Sequence, residues 1–144
     1  MATEASSQMV MRAKLEELAS LERWVAAQAV ELILPPPLAS RIDLCLTEHV
    51  TNIIDYGYPN RAPGTIIMSL WHQPEEIVVR IDDDGAPFDP TACALPALPR
   101  SLADAKGGGR GIRLVRHFAD ELHYMRTAAG NELVLKFRIG PAPR

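Results

Sequence analysis

From Leu38 to Gly57 apolar residues return every three or four positions, so that Ile42, Leu46, Val50, Ile53 and Ile54 line one face of a predicted helix. Pro35, Pro36 and Pro37 stand just ahead of it, where a missing N–H costs little, and Gly57 is placed to give a left-handed stop. The opposite side carries Glu48, Asn52 and Asp55 one turn apart. Taken alone, that polar side reads as a solvated face. Upstream, Leu15, Leu18, Leu21 (or Trp24), Val25, Ala29 and Ile33 form a second helical stripe within Lys14 to Leu34.

Elsewhere the period is two. Thr65 to Gln73 is β-branched and alternating, Pro74-Glu75-Glu76 breaks it, and Ile77, Val79 and Ile81 then alternate with Val78, Arg80 and Asp82. This predicts a hairpin. A second hairpin is expected from Glu121 to Thr127 and Glu132 to Ile139, across Ala128-Ala129-Gly130-Asn131. In its last strand Leu133, Leu135, Phe137 and Ile139 face one way, with Glu132, Val134, Lys136 and Arg138 on the other. Gln8 to Ala13 reads as an edge strand after a loose tail over residues 1–8, and Ile112, Leu114, Val115 and Phe118 predict a short amphipathic helix. Thr91 to Lys106, interrupted by Pro96 and Pro99, has no strong period and reads as loop or weak helix. The expected architecture is a single domain over residues 9–140, an α/β two-layer sandwich of largely antiparallel sheet with about three helices on one face.

Composition changes this picture little. At 144 residues with 47% hydrophobic and 23% charged residues, the chain is ordinary for one globular domain. A net charge of −3 without a Lys/Arg cluster argues against nucleic-acid binding. Cys45 and Cys93 are too few for a disulfide framework and read as reduced thiols of a cytosolic protein. The start MATEASSQM has neither a basic region nor an apolar run, so no signal peptide is expected, and no apolar stretch approaches the ~20 residues of a membrane span. His49, His72, His117 and His123 show no ligand spacing and read as surface or rim residues, while Trp24 and Trp71 read as core or interface.

Three stretches carry candidate chemistry. Asp83-Asp84-Gly85, with Phe88-Asp89-Pro90, would fix a carboxylate at a strand end beside a glycine that lets a flat ring approach. Such a carboxylate accepts a hydrogen bond from the amine of adenine and repels the carbonyl of guanine. A lone D-x-G is more often turn chemistry. Gly107-Gly108-Gly109-Arg110-Gly111 precedes a helix, where exposed N–H groups and the helix dipole suit a polyphosphate; a flexible hinge is the competing account. It is neither a Walker A loop nor a Rossmann fingerprint. On the central helix, an Asn52 amide oxygen suffices as one ligand of a Mg²⁺ that keeps several waters, and Glu48, one turn earlier, could orient or deprotonate an attacking hydroxyl or water.

Taken in order, T-E-H-V-T-N-I-I-D-Y-G-Y, D-D-G-A-P-F-D-P and G-G-R-G-I-R-L-V-R resemble the N, G1 and G2 boxes of the GHKL (Bergerat-fold) ATPases. Within that group the chain looks most like the bacterial anti-sigma-factor serine/threonine kinases, to which Asp120 to Tyr124 and Gly130 to Leu133 are also similar. The resemblance runs from residue 9 to 139. It implies ATP and Mg²⁺ as cofactors, Glu48 as general base, Asn52 as magnesium ligand, Asp83 as the adenine reader with Gly85 beside it, and Gly107, Gly108, Gly109, Arg110 and Gly111 as the phosphate-facing loop. It further implies a lid over residues 91–106, a homodimer, cytoplasmic location, and two kinds of partner, a sigma factor and an anti-sigma antagonist phosphorylated on serine. Tyr56 and Asn131 depart from the family pattern, standing where His and Thr are usual, and Arg100 and Lys106 are the lid's only basic residues. A non-catalytic, ATP-gated partner-binding module of the same fold is the alternative. A sensor histidine kinase fits less well, since no His precedes the central helix.

Overall fold

The computed structural model describes residues 4–92 and 109–140, with residues 109–113 as backbone. Strand β1 (Ser7–Arg12) leads through a 3₁₀ turn (Leu15–Glu17) into helix α1 (Leu18–Glu31) and then α2 (Pro36–Tyr56). The hairpin β2 (Thr65–His72) and β3 (Glu76–Asp83) follows, then α3 (Gly109–Phe118) and a second hairpin, β4 (Glu121–Arg126) and β5 (Asn131–Arg138). The strands form one sheet in the order β1-β2-β3-β5-β4, and every neighbouring pair is antiparallel. The expected two-layer α/β sandwich with three helices is what forms.

Alternation decides which sheet face is covered. Ile66, Met68 and Leu70 of β2, Ile77, Val79 and Ile81 of β3, and Leu133, Leu135 and Phe137 of β5 are all buried. The intervening Val78, Arg80, Asp82, Val134 and Lys136 stay partly exposed on the other face. α2 lays Leu38, Ile42, Leu46, Val50 and Ile53 onto that core, α1 packs on α2 and β1, and α3 packs on α2. Each such aliphatic side chain contributes about 1.5–3 kcal/mol by leaving water.

Helix ends show where the sequence pattern misleads. α2 starts as expected, with Pro35 extended (φ −57°, ψ 139°) and Pro36 and Pro37 in the first turn. Its end differs: Gly57 keeps right-handed angles (φ −77°, ψ −21°) and its N–H closes on Ile53 O at 2.7 Å. The Gly57 carbonyl instead accepts the Ala86 N–H at 2.8 Å, and Pro59 prevents further helix. In α1 only the middle of the predicted stripe holds. Leu21 and Val25 are buried, but Leu15 and Ile33 are 57% and 88% exposed. Leu15 sits in the 3₁₀ turn, and Ile33 takes the left-handed position (φ 53°) that ends the helix. There Leu34 N–H reaches Ala29 O at 2.9 Å and Ile33 N–H reaches Val30 O at 3.2 Å, a Schellman cap built on a β-branched residue.

Candidate nucleotide site

β3 and β5 pair Asp83 with Asn131 at the end of the sheet. Because Ile77, Val79 and Ile81 point inward, Asp83 does too; its neighbour Asp82 points out and bonds Arg80 at 2.9 Å. Asp83 is 7% exposed, and its Oδ1 accepts the Gly85 N–H and the Asn131 Nδ2–H, both at 2.9 Å. Among the described residues no hydrogen bond falls on Oδ2. Burial pushes the Asp83 carboxyl above its ordinary range, against the pull of these two donors.

Asp84 is otherwise employed. Its Oδ1 accepts the Tyr58 hydroxyl at 2.6 Å and the Thr65 N–H at 3.1 Å, while Arg61 donates to its carbonyl. The Tyr58 hydrogen bond holds the Asp84 carboxyl below the usual range. Asp89 accepts from the Thr91 N–H and hydroxyl at 2.8 and 2.6 Å, so it shapes its own turn. Of the acidic run, Asp83 is the carboxylate turned inward beside Gly85.

Gly85 earns its place by backbone proximity to α2. A Cβ there would lie 2.9 Å from Gly57 O, 3.1 Å from Gly57 Cα and 3.0 Å from Asp83 Oδ1. With the Ala86–Gly57 hydrogen bond, this joins the C-terminal end of the central helix directly to the loop after Asp83. Gly130 does the same from the other hairpin: at φ 150°, a Cβ would meet Asp83 O at 1.9 Å.

On α2, Glu48 is partly buried, Asn52 is 5% exposed and Asp55 is exposed. The polar side is therefore not a uniformly solvated stripe. Asn52 Nδ2 is buried without a hydrogen-bond partner, a state that costs about 1–3 kcal/mol unless something else meets the group. His49 corrects the rim assignment: it is 4% exposed, its ring lies 6.2 Å from that of Phe88, and burial lowers its pKa to about 4. Cys45 is a free, buried thiol whose pKa burial raises to about 12, so it stays protonated and inert.

Of the glycine-rich stretch, Gly109, Arg110 and Gly111 form the first turn of α3, which packs on α2; Gly107, Gly108 and residues 93–106 of the lid expected over 91–106 lie outside the described residues. Sequence reasoning assigned no individual role to Arg126 or Tyr124. Arg126 Nη1 donates to Gly85 O at 2.8 Å, and the Tyr124 hydroxyl donates to Asn131 Oδ1 at 2.5 Å. The alternation of β4 beside Asn131 was the available signal for Tyr124.

With this geometry in hand, the chain matches the histidine kinase-like ATPase domain over residues 11–137. It is 35% identical over 127 residues to the serine/threonine-protein kinase BtrW of Bordetella bronchiseptica, covering 88% of this chain and 82% of that protein. It is 27% identical over 118 residues to the anti-sigma F factor of Clostridium novyi, covering 80% and 82% respectively. A crystal structure of the RsbU and RsbW domains of Rv1364c from Mycobacterium tuberculosis shares the fold, with a TM-score of 0.67 at 14% identity, over 96% of this chain and 34% of that longer one. No helix among the described residues is long and apolar enough to cross a membrane. The buried Asp83, its two close-packed glycines and the orphaned Asn52 amide thus sit in a chain that belongs to the histidine kinase-like ATPase family.

Proposed function

We propose that this chain is an ATP-dependent serine/threonine protein kinase of the anti-sigma type, acting in the cytoplasm. In this reading it phosphorylates a serine of an anti-sigma antagonist, holds a sigma factor in the alternative partner state, and works as a homodimer. The observation that carries it is Asp83, a buried carboxylate with Oδ1 pinned by two N–H donors at 2.9 Å beside a glycine. A carboxylate with one oxygen committed offers the other to an exocyclic amine. The relatives named as a serine/threonine-protein kinase and as anti-sigma F factors supply the type of reaction and of partner.

The residues present fit ATP with Mg²⁺. The buried, unpartnered Nδ2 of Asn52 marks an amide of the kind expected where phosphate oxygens and a hydrated cation arrive. An amide offers an oxygen to the metal and an N–H to a phosphate, and a half-turn about χ2 exchanges the two. Asp83 and Gly85 would hold the base, and the glycine run Gly107 to Gly111 is the part of the sequence suited to the phosphates. ATP would supply the phosphoryl group, and Mg²⁺ would neutralise part of its charge. Glu48, one turn before Asn52, would take the proton from the serine hydroxyl as its oxygen bonds the γ-phosphorus and the bond to the leaving ADP breaks.

The test is phosphorylation of a candidate antagonist with labelled ATP, followed by mapping of the modified residue. A phosphoserine is expected. Glu48→Gln is expected to bind ATP and Mg²⁺ near normally while transferring phosphate ~10²–10⁴-fold more slowly, the usual range for loss of a general base. ATP binding without transfer to any candidate would mean a partner-sequestering module instead. Wild-type turnover by Glu48→Gln would remove that residue from the chemistry.

A further inference from the structure

Asn131 makes more side-chain hydrogen bonds than any other described residue around Asp83. Its Nδ2 donates to Asp83 Oδ1 at 2.9 Å and to Ala86 O at 2.8 Å. Its Oδ1 accepts from Phe88 N–H at 3.3 Å, from the Tyr124 hydroxyl at 2.5 Å and from Arg126 Nη1 at 3.3 Å. These partners fix the amide's orientation, because a flipped amide would set its oxygen against a carboxylate and a carbonyl and its nitrogen against two obligate N–H donors. Two N–H groups and two lone pairs are thereby used, and none is left for a ligand. Asn131 can influence nucleotide only through the groups it holds.

Those groups are the ones that would read a base. We propose that Asn131 is a positioning residue for base specificity, pinning Asp83 Oδ1 and the Ala86–Phe88 backbone so that Oδ2 is the oxygen offered to an adenine amine. This rests on the reading of Asp83 as the adenine acceptor. The arrangement has a physical logic. A carboxylate free to rotate can present either oxygen, protonated or not, and then accepts or donates. A carboxylate whose Oδ1 is held by two donors presents Oδ2 as an acceptor while it is ionised, which discriminates the amine of adenine from the carbonyl of guanine. Arg126 ties the same loop from β4 through Gly85 O at 2.8 Å, so the loop is held at Gly85, Ala86 and Phe88.

A purely structural role and a positioning role differ in pH dependence. Burial chiefly raises the pKa of the Asp83 carboxyl; besides Asn131, the groups acting on it among the described residues are the Gly85 N–H, which lowers it, Asp84, which raises it, and Arg126, which lowers it, with Tyr58 close by in the loop after α2. All of these remain in an Asn131 variant. Removing the Asn131 donor alone moves the carboxyl further up, so adenine binding, which needs the ionised form, fails at a higher pH than in the wild type.

The experiment measures ATP and GTP affinity by calorimetry from pH 5 to 8 for wild type, Asn131→Ala, Asn131→Thr and Asp83→Asn, with thermal melts as a folding control. Asn131→Ala is expected to weaken ATP roughly tenfold at neutral pH, the equivalent of one hydrogen bond to a charged group. It should also narrow the preference for ATP over GTP and raise the pH midpoint of ATP binding. Asn131→Thr, whose hydroxyl can restore one donor, should fall between it and the wild type. A folded Asn131→Ala with an unchanged midpoint, or with ATP and GTP weakened equally, overturns the proposal. Should the alanine variant not fold, an Asn131→Thr midpoint equal to the wild type's overturns it instead. Asp83→Asn separates the two layers. If it leaves the ATP over GTP preference intact, the reading of Asp83 itself fails, whatever Asn131 does.

Discussion

The Asp83 carboxyl is pushed up by burial and held back by the Asn131 and Gly85 N–H groups, and this tension makes it sensitive to its neighbours. Replacing it with Asn keeps the size but lets the amide turn a donor toward an adenine amine. Asp83→Asn is therefore expected to cost roughly 1.5–3 kcal/mol of ATP affinity, read by calorimetry; equal affinities would place the base elsewhere. Gly130 lies against the backbone that carries the same carboxylate. Because a Cβ there would lie 1.9 Å from Asp83 O, Gly130→Ala must push the β4–β5 turn off β3. We expect it to lower stability by about 1–3 kcal/mol, as overpacking does, and to weaken ATP binding with it. Denaturant midpoints and ATP titrations on the same preparation check both halves. Unaltered ATP binding in a destabilised Gly130→Ala would show that the turn does not position Asp83.

Among the elements, α1 ends with a local conflict that sequence periodicity conceals. Ile33 occupies a left-handed position that costs an L-residue roughly 1–2 kcal/mol, and at 88% exposure it recovers little by burial. Ile33→Gly is expected to stabilise the protein, by no more than about 1 kcal/mol because glycine also loses more entropy on folding. Thermal melting at constant pH checks the sign, and a lower midpoint would mean that Ile33 makes a contact worth more than its strain. The same element scale explains why α2 is the hub. One helix carries Leu46, Val50 and Ile53 into the core, sets Asn52 and His49 under cover, and ends on Gly57, whose carbonyl receives the Ala86 N–H at 2.8 Å.

For the whole molecule, His49 makes stability depend on pH. An unfolded imidazole titrates near 6.5, whereas the buried ring is held neutral down to about 4. Unfolding thus takes up a proton between those values. The stability associated with the neutral ring is full above about pH 6.5 and is lost as pH falls toward 4, by up to about 3 kcal/mol at 1.36 kcal/mol per unit. Carboxyls such as Asp83 and Asp43, raised by burial, act in the opposite sense as they protonate. Comparison with His49→Leu cancels their share. The variant should lose markedly less stability than the wild type between pH 7 and pH 5 in denaturant melts. Parallel losses in the two proteins would mean that His49 is protonated without opening the structure.

The residue pattern alone determined the sandwich, because period two and period 3.6 each state which side of an element is apolar, and the alternation Ile77, Val79, Ile81 carries inward to Asp83. It also marked Glu48, Asn52, Asp83, Gly85 and the glycine run, through resemblance to a family. Tertiary structure decided what each neighbour does. Three consecutive aspartates are alike in sequence, yet pairing across the sheet turns Asp82 out to Arg80 and Asp83 in to Asn131, while a loop residue, Tyr58, takes Asp84. His49 looked like a rim histidine because nothing local announces the Phe88 ring from 39 residues away or the burial that keeps it neutral. Gly57 looked like a left-handed stop because the partner of its carbonyl, Ala86, lies on another element. Periodicity reports a residue's side of its own helix or strand, and these roles depend on what a second element brings to that side.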